Sequence, residues 1–262
     1  LRDAGFAVRT LEGRDADEAL DLARECVADG VEALVVCGGD GIAHLGAQAV
    51  AGTGIPLGLI PAGTGNDVAR YFDLPRKDPA AAADRVIAGR TRTVDLARSG
   101  SRYYVTVLAA GFDAVVNERA NQMTWPTGQM RYNIATLAEL RTFSPLSYTL
   151  ELDGRSVELD AMLVAVGNGP SFGGGLRITE GALLDDGMLD VVIFRPMSRL
   201  GLVRAYPRLF NGTHVTHPKY EHHLVRRITV ASPGIVAYAD GERFGELPLT
   251  VECAPGALTV LT

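Results

Sequence analysis

The chain has 262 residues, and nowhere in it do the eighteen or so uninterrupted apolar residues needed to cross a bilayer as a helix occur. No basic stretch followed by an apolar run opens it, so no secretory leader is expected. Cysteines number only three, Cys26, Cys37 and Cys253. They are too few and too scattered for a disulfide framework and fit inert thiols in a reducing cytoplasm. Blocks of lysine and arginine are missing, and the formal net charge is −6. That balance argues against nucleic-acid binding and against simple electrostatic docking on anionic lipid. No internal repeat or low-complexity linker interrupts the chain.

Apolar residues make up 47% of the chain, enough to bury a real core rather than remain disordered. The first third reads as alternating strands and helices. Asp15 with Glu18 three residues on marks a helix start, Leu20, Ala23 and Val27 share one face, and Gly30 stops it. Val31–Cys37 is a short apolar run that suits a buried parallel strand, and it feeds Gly38-Gly39-Asp40-Gly41 and a second helix. Pro56–Ile60 repeats the pattern and leads into Gly63-Thr64-Gly65-Asn66-Asp67. Asp78-Pro79 opens a helix that ends at Gly89. Such alternation implies an α/β fold with a parallel sheet, whose ligands bind beyond the C-terminal strand ends.

From about Val94 the pattern shifts to strands: Tyr103–Ala109, Leu146–Leu152, Ser156–Val166, Leu189–Phe194, Leu224–Ala231 and Ile235–Tyr238. Helices are expected near Gln129–Arg141 and Ser198–Phe210. We read two domains, a parallel α/β unit over 1–94 and a mostly antiparallel β-sandwich over 95–262, divided near Arg92–Asp95. The last strand, Ala257–Leu261, can return to either.

Each glycine-rich loop leaves a strand and opens a helix, where unpaired backbone N–H groups and the helix dipole favour an anion. Either loop alone could be a tight turn. Two at successive strand ends make opposing walls of one phosphate site. Asp240-Gly241-Glu242 reads equally as a hairpin turn or as carboxylates at an acceptor. At i, i+2 spacing on an extended segment both would share one face. Leu183-Leu184-Asp185-Asp186-Gly187-Met188 is by itself an Asp-Gly turn. His214, His217, His222 and His223 cluster without a regularly spaced cysteine or carboxylate, which suits structural or solvated histidines better than zinc.

The order of these motifs resembles the diacylglycerol kinase catalytic family, which includes soluble bacterial diacylglycerol kinases and sphingosine kinases. The likeness runs from about Thr10 to Leu261. It implies an ATP-dependent lipid kinase that phosphorylates a lipid hydroxyl, diacylglycerol giving phosphatidic acid, with Mg²⁺ as cofactor. By the same resemblance, Thr10, Gly38, Gly39, Asp40, Gly41, Ile42, Ala43, His44, Gly63, Thr64 and Asn66 contact the nucleotide. Asp40, Asp67 and Asp95 form an acidic network around the catalytic Mg²⁺. Asp186, with the carbonyls of Leu183 and Met188, holds a structural Mg²⁺. Asp240 or Glu242 is the general base, and Asn168, at the head of a loop ending Gly173-Gly174-Gly175, lies near the acceptor.

Three departures accompany the likeness. The family's opening strand and asparagine-proline loop have no counterpart from Leu1 onward, Ile42 stands where threonine is common, and Leu45 stands where many members carry glutamate. A catalytically impaired nucleotide- or lipid-binding relative, and a kinase of the same nucleotide-binding class with a non-lipid acceptor such as NAD, are the alternatives. The lipid reading implies a cytoplasmic protein in reversible peripheral contact with a membrane through apolar residues near the interdomain cleft. A homodimer is compatible with the sequence.

Overall fold

The computed structural model describes residues 1–111, 116, 119, 122–125, 134–135, 138–139 and 144–262. The helix expected over Gln129–Arg141 falls mostly outside the described residues. Helix α1 (Ala16–Ala28) is capped by Asp15, whose side chain accepts the Glu18 N–H. Strand β1 (Leu34–Gly38) leads to α2 (Asp40–Val50), and β2 (Leu57–Pro61) leads to the short α3 (Asp67–Tyr71). Helix α4 (Pro79–Ala88) carries an Asp78 cap and ends at Gly89 in the left-handed conformation. Strands β1 and β2 pair in parallel, Leu34 opposite Leu57. A core of Leu57, Leu59, Val68, Val94, Leu96 and Val260 holds the helices to this sheet. Full burial of each such side chain contributes about 1.5–3 kcal/mol.

The sandwich begins with β3 (Thr91–Ser99), β4 (Arg102–Tyr104) and β5 (Val107–Gly111). Strands β6 (Leu146–Leu152), β7 (Arg155–Ala161), β8 (Leu163–Gly167) and β9 (Leu189–Phe194) follow. Helix α5 (Arg199–Phe210) precedes β10 (Tyr220–Val225), β11 (Arg227–Ala231), β12 (Val236–Ala239), β13 (Glu242–Glu246) and β14 (Leu249–Leu261). One sheet runs β10-β9-β8-β5-β12-β13, entirely antiparallel. It faces the larger sheet across a core that includes Tyr104, Leu108, Tyr148, Leu150, Val166 and Ile228.

Strand β14 joins the two halves. Its early residues pair with β11 and with the end of β3. After a break in register between Ala254 and Leu258 it continues along the start of β3, and Val260 reaches Leu57 of β2 in parallel. The last strand therefore belongs to both halves of the fold.

Three expected strands are divided in the structure. Tyr103–Ala109 breaks at Val105-Thr106, whose N–H groups turn to the Asp240 carboxylate. Ser156–Val166 changes sheets at buried Met162. Leu224–Ala231 does the same at Arg226, beside the Asp153 carboxylate that accepts the Arg226 and Arg227 N–H groups. Asp153-Gly154 turns a hairpin between β6 and β7. Asp186-Gly187 does not, because residues 168–188 form a long excursion between paired β8 and β9.

Candidate active site

The two glycine-rich loops lie against each other at the ends of β1 and β2. The Ala62 N–H donates to the Gly38 carbonyl at 2.9 Å. A Cβ placed on Gly39 would sit 3.2 Å from the Gly63 Cα, and one on Gly63 would overlap Gly39 outright. Only backbone fits at this crossing, which explains the paired glycines better than turn geometry does. Asn66, in the left-handed conformation, closes the second loop on itself. Its Oδ1 accepts the Gly63 N–H at 3.1 Å and its Nδ2 donates to the Gly63 carbonyl at 2.8 Å. Thr64 is exposed at the tip. The enclosed space between the loops is only about 10 Å³, so an anion there would rest on an open rim of α2 and α3 N-termini. A larger groove, about 700 Å³, crosses Tyr148, Leu159 and Pro248 on the sandwich, and none of the expected site residues lines it.

Asp40 opens α2 and lies beside the second loop. Its Oδ1 accepts the Val68 N–H at 3.3 Å. Its Oδ2 and the Asp67 Oδ2 are 2.7 and 3.7 Å from the point a Cβ on Gly65 would occupy. Burial, then the charge of Asp67, raises the Asp40 carboxyl above the ordinary range. Asp67 is buried, and its Oδ2 accepts the Gly174 N–H at 2.6 Å, which ties the triple-glycine loop to the site. Among the described residues its Oδ1 has no hydrogen-bond partner, the nearest cation being Arg70 Nε at 3.5 Å. Two adjacent carboxylates, one destabilised in its charged form and one with an orphaned oxygen, fit a hard divalent cation.

Asp95, the expected third member of that network, accepts the Gly256 N–H on Oδ1 at 2.8 Å and the Gly187 N–H on Oδ2 at 2.7 Å, and its own N–H donates to the Leu184 carbonyl. It therefore holds the Leu183–Met188 loop. In that loop Asp186 Oδ1 accepts the Met188 N–H at 3.0 Å, and Leu183 is exposed. Burial, with added repulsion from Asp95 and Asp186, pushes the Cys253 thiol up to about 12. Among the described residues no group of three His, Cys, Asp or Glu side chains gathers as a metal cage.

The Asp240-Gly241-Glu242 segment is a hairpin turn set against α2, the helix of the first glycine-rich loop. It joins β12 to β13, and Asp240 and Gly241 both take positive φ. The chain reverses there, so the i, i+2 alternation of an extended strand does not apply and the two carboxylates part. Asp240 is buried. Its Oδ2 meets His44 Nδ1 at 2.7 Å and the Val105 N–H at 3.0 Å, and its Oδ1 accepts the Thr106 N–H and hydroxyl at 2.8 and 2.6 Å. Burial alone would raise its pKa, but the His44 contact and the Thr106 and Val105 bonds outweigh it and hold the carboxyl below its ordinary value. Glu242 is exposed, and its Oε1 lies 3.2 Å from the Cβ position of Gly41 in the first turn of α2. The hairpin thus brings one buried and one exposed carboxylate to the same helix.

Other expected residues take supporting places. His44 turns its ring to Asp240, which places it under the loop and removes Nδ1 from any phosphate contact. Ile42 and Ala43 pack into the α/β core. Asn168 is buried, with Nδ2 donating to the Asp95 and Val105 carbonyls at 3.0 Å each. It ties the end of β8 to β3 and to the break between β4 and β5, and among the described residues its buried Oδ1 has no hydrogen-bond partner. Thr10 is exposed, its hydroxyl 3.5 Å from Arg2 Nη2. The four histidines disperse: His214 to the Ile178 carbonyl, His217 to the Lys219 N–H, His222 to Asp190 at 2.6 Å, and His223 to the surface. Sequence reasoning missed Thr106 and Tyr71. Thr106 holds Asp240, and the Tyr71 hydroxyl donates to the Ser171 carbonyl and accepts the Ser171 N–H. A polar residue inside an apolar strand and a tyrosine at the end of α3 were the available signals.

Known proteins carry the same plan. Residues 1–99 match the family model of the diacylglycerol kinase catalytic domain, and residues 106–262 match that of the YegS C-terminal NAD kinase beta sandwich-like domain. Diacylglycerol kinase of Mycobacterium tuberculosis (strain ATCC 25618 / H37Rv) is 45% identical, over 100% of this chain and 86% of that protein. Diacylglycerol kinase of Bacillus subtilis (strain 168) is 27% identical, over 95% and 83%. A crystal structure of a diacylglycerol kinase from Bacillus anthracis superposes with a TM-score of 0.75 at 24% identity, over 96% of this chain and 84% of that one. An NAD kinase from Archaeoglobus fulgidus, solved in complex with ATP, shares the fold at a TM-score of 0.52 and 11% identity, over 95% and 90%. Matched by sequence over its whole length and by fold over 96% of it, the chain belongs to the diacylglycerol kinase family and is a kinase.

Proposed function

We propose that this kinase transfers the γ-phosphoryl group of ATP to the hydroxyl of diacylglycerol, giving phosphatidic acid, while in peripheral contact with a membrane. One observation supports this reading most: exposed Glu242 stands over the first turn of α2, beside the crossing of the two glycine-rich loops. The loop amides at the α2 and α3 N-termini would hold the phosphates. Glu242 Oε1 would accept the hydroxyl proton as the acceptor oxygen bonds to the γ-phosphorus and the bond to the ADP oxygen breaks. Asp240 would act through position, fixing the turn from which Glu242 projects.

Asp40 and Asp67 would hold a Mg²⁺ ion, which when bound neutralises phosphate charge. Their own contribution is a close pair of carboxylates, Asp67 buried and Asp40 half-buried, whose charge such a cation would balance. Asp186, backed by Asp95, would hold the second, structural ion with the loop carbonyls of Leu183 and Met188. The mechanism asks little covalent work of the protein; position and charge carry it. Thin-layer separation after incubation with labelled ATP and a panel of acceptors tests the reading. Label in phosphatidic acid supports it, whereas label on NAD alone or on no acceptor contradicts it.

A further inference from the structure

Among the described residues, helix α5 packs one side on the sandwich. Leu202, Tyr206 and Leu209 meet Leu176, Ile178 and Phe194. At 100° per residue, Leu200, Val203, Pro207 and Phe210 fall within an arc of about 80° on the other side. That arc is apolar and uncovered: Leu200 is 57% exposed, Val203 46% and Phe210 40%. A surface helix ordinarily turns polar residues outward.

Arg199 borders the arc on one edge, and Arg204 and Arg208 border it on the other. The helix contains no acidic residue, although the whole chain carries a net charge of −6. Arg199 and Arg204 are exposed. Arg208 donates to the Thr213 carbonyl and the Thr216 hydroxyl at 2.7 and 2.8 Å, tying a turn with exposed Val215 to the same end of the helix. An apolar stripe with cationic flanks matches a bilayer interface: the stripe enters the acyl boundary and the guanidinium groups meet anionic headgroups.

We propose that α5 is the membrane-docking element of this kinase, lying in the interface of a bilayer that contains anionic phospholipid. This rests on the lipid-kinase reading and gives it a surface. The acidic balance of the whole chain conceals a local cationic face, so electrostatic docking, which composition argues against, is available here. The helix is also tied to the site. The Leu209 carbonyl accepts the Arg177 N–H at 3.0 Å, and Arg177 follows Gly174 by three residues, whose N–H donates to Asp67. A bilayer under α5 would lie a short loop away from the acidic pair.

The test is flotation of the full chain with vesicles of phosphatidylcholine alone and of phosphatidylcholine mixed equally with phosphatidylglycerol. The unaltered chain should bind the mixed vesicles at least about tenfold more tightly. R199E/R204E should lose that preference, and L200S/V203S/F210S should lose about tenfold or more of binding to both compositions. These positions are exposed, so the variants should keep their thermal transitions. Phosphorylation of diacylglycerol in detergent micelles should also be unchanged. Variants that float like the unaltered chain, or an unaltered chain that binds neither composition, would overturn the proposal. So would an L200S/V203S/F210S chain that turns from dimer to monomer while its flotation is intact, since the face would then serve a second copy. Failure to phosphorylate lipid in micelles counts against the kinase reading instead, because flotation does not depend on turnover.

Discussion

Asp240 Oδ2 and His44 Nδ1 lie 2.7 Å apart across 196 residues of sequence. This contact docks the β12–β13 hairpin on α2, and the Thr106 and Val105 donors complete the socket. Asp240→Asn would place an amide donor among donors and should lower stability by about 2–4 kcal/mol at neutral pH. The native carboxyl titrates below its ordinary value, so its stabilising contribution is present above about pH 4 and fades as the pH falls through the lower native value. Urea unfolding at pH 7 and at pH 3 should therefore show a large gap between the two proteins that narrows in acid. A gap that is constant or wider at pH 3 contradicts the assignment.

Glu242→Gln separates chemistry from structure. The side chain is exposed, so thermal stability should shift by no more than about 0.5 kcal/mol. Removal of a proton acceptor should lower kcat by about 10²–10⁴-fold with little change in the KM for ATP. Steady-state kinetics with a lipid acceptor decide this, and a kcat near that of the unaltered enzyme would assign the proton to another group.

Asp40 carries charge at a cost to the fold, since burial and the nearby Asp67 both oppose its ionisation. Because its native pKa is raised, its ionised form weakens the fold above that value, and neutralisation relieves the strain. Asp40→Asn should leave the nucleotide-free protein as stable or more so, by a few degrees at most. It should abolish the added stability that Mg²⁺ with ATP gives the unaltered chain. Thermal melts with and without Mg²⁺ and ATP provide the check. An intact Mg²⁺-ATP effect in the variant would remove Asp40 from the cation site.

Gly63→Ala tests the loop crossing. A Cβ there would overlap the Gly39 backbone and crowd Asn66 Oδ1 at 2.9 Å. The loops must part, at about 1–3 kcal/mol, and ATP affinity should fall. Ala substitution at Gly5, where no atom lies within 4 Å, is the control for alanine itself, though its positive φ carries its own modest strain. Calorimetric ATP binding unchanged by Gly63→Ala would show that the crossing is not the phosphate site.

Local physics made much of this legible in the sequence. Asp15 and Asp78 cap helices as their spacing implies, and the apolar runs Leu146–Leu152 and Leu189–Phe194 are strands with those bounds. Breaks within strands were not legible. The cause at Val105-Thr106 is a carboxylate far along the chain, and no local pattern announces it. For the same reason Asp240 and Glu242 looked equivalent, as did Asp67 and Asp95. Residue type and motif order marked all four, but only tertiary partners decide which oxygens are occupied. A helix near Ser198–Phe210 was expected, yet which of its faces is left uncovered follows only from burial of the opposite side.

The central claim is that the two loops present ATP to a lipid hydroxyl under Glu242. Single-turnover transfer from γ-labelled ATP to dispersed diacylglycerol tests it most directly, with the unaltered enzyme and Glu242→Gln side by side. The account predicts labelled phosphatidic acid from the first and at least about a hundredfold slower appearance from the second. Equal rates from both, or labelled product on no lipid, would contradict it.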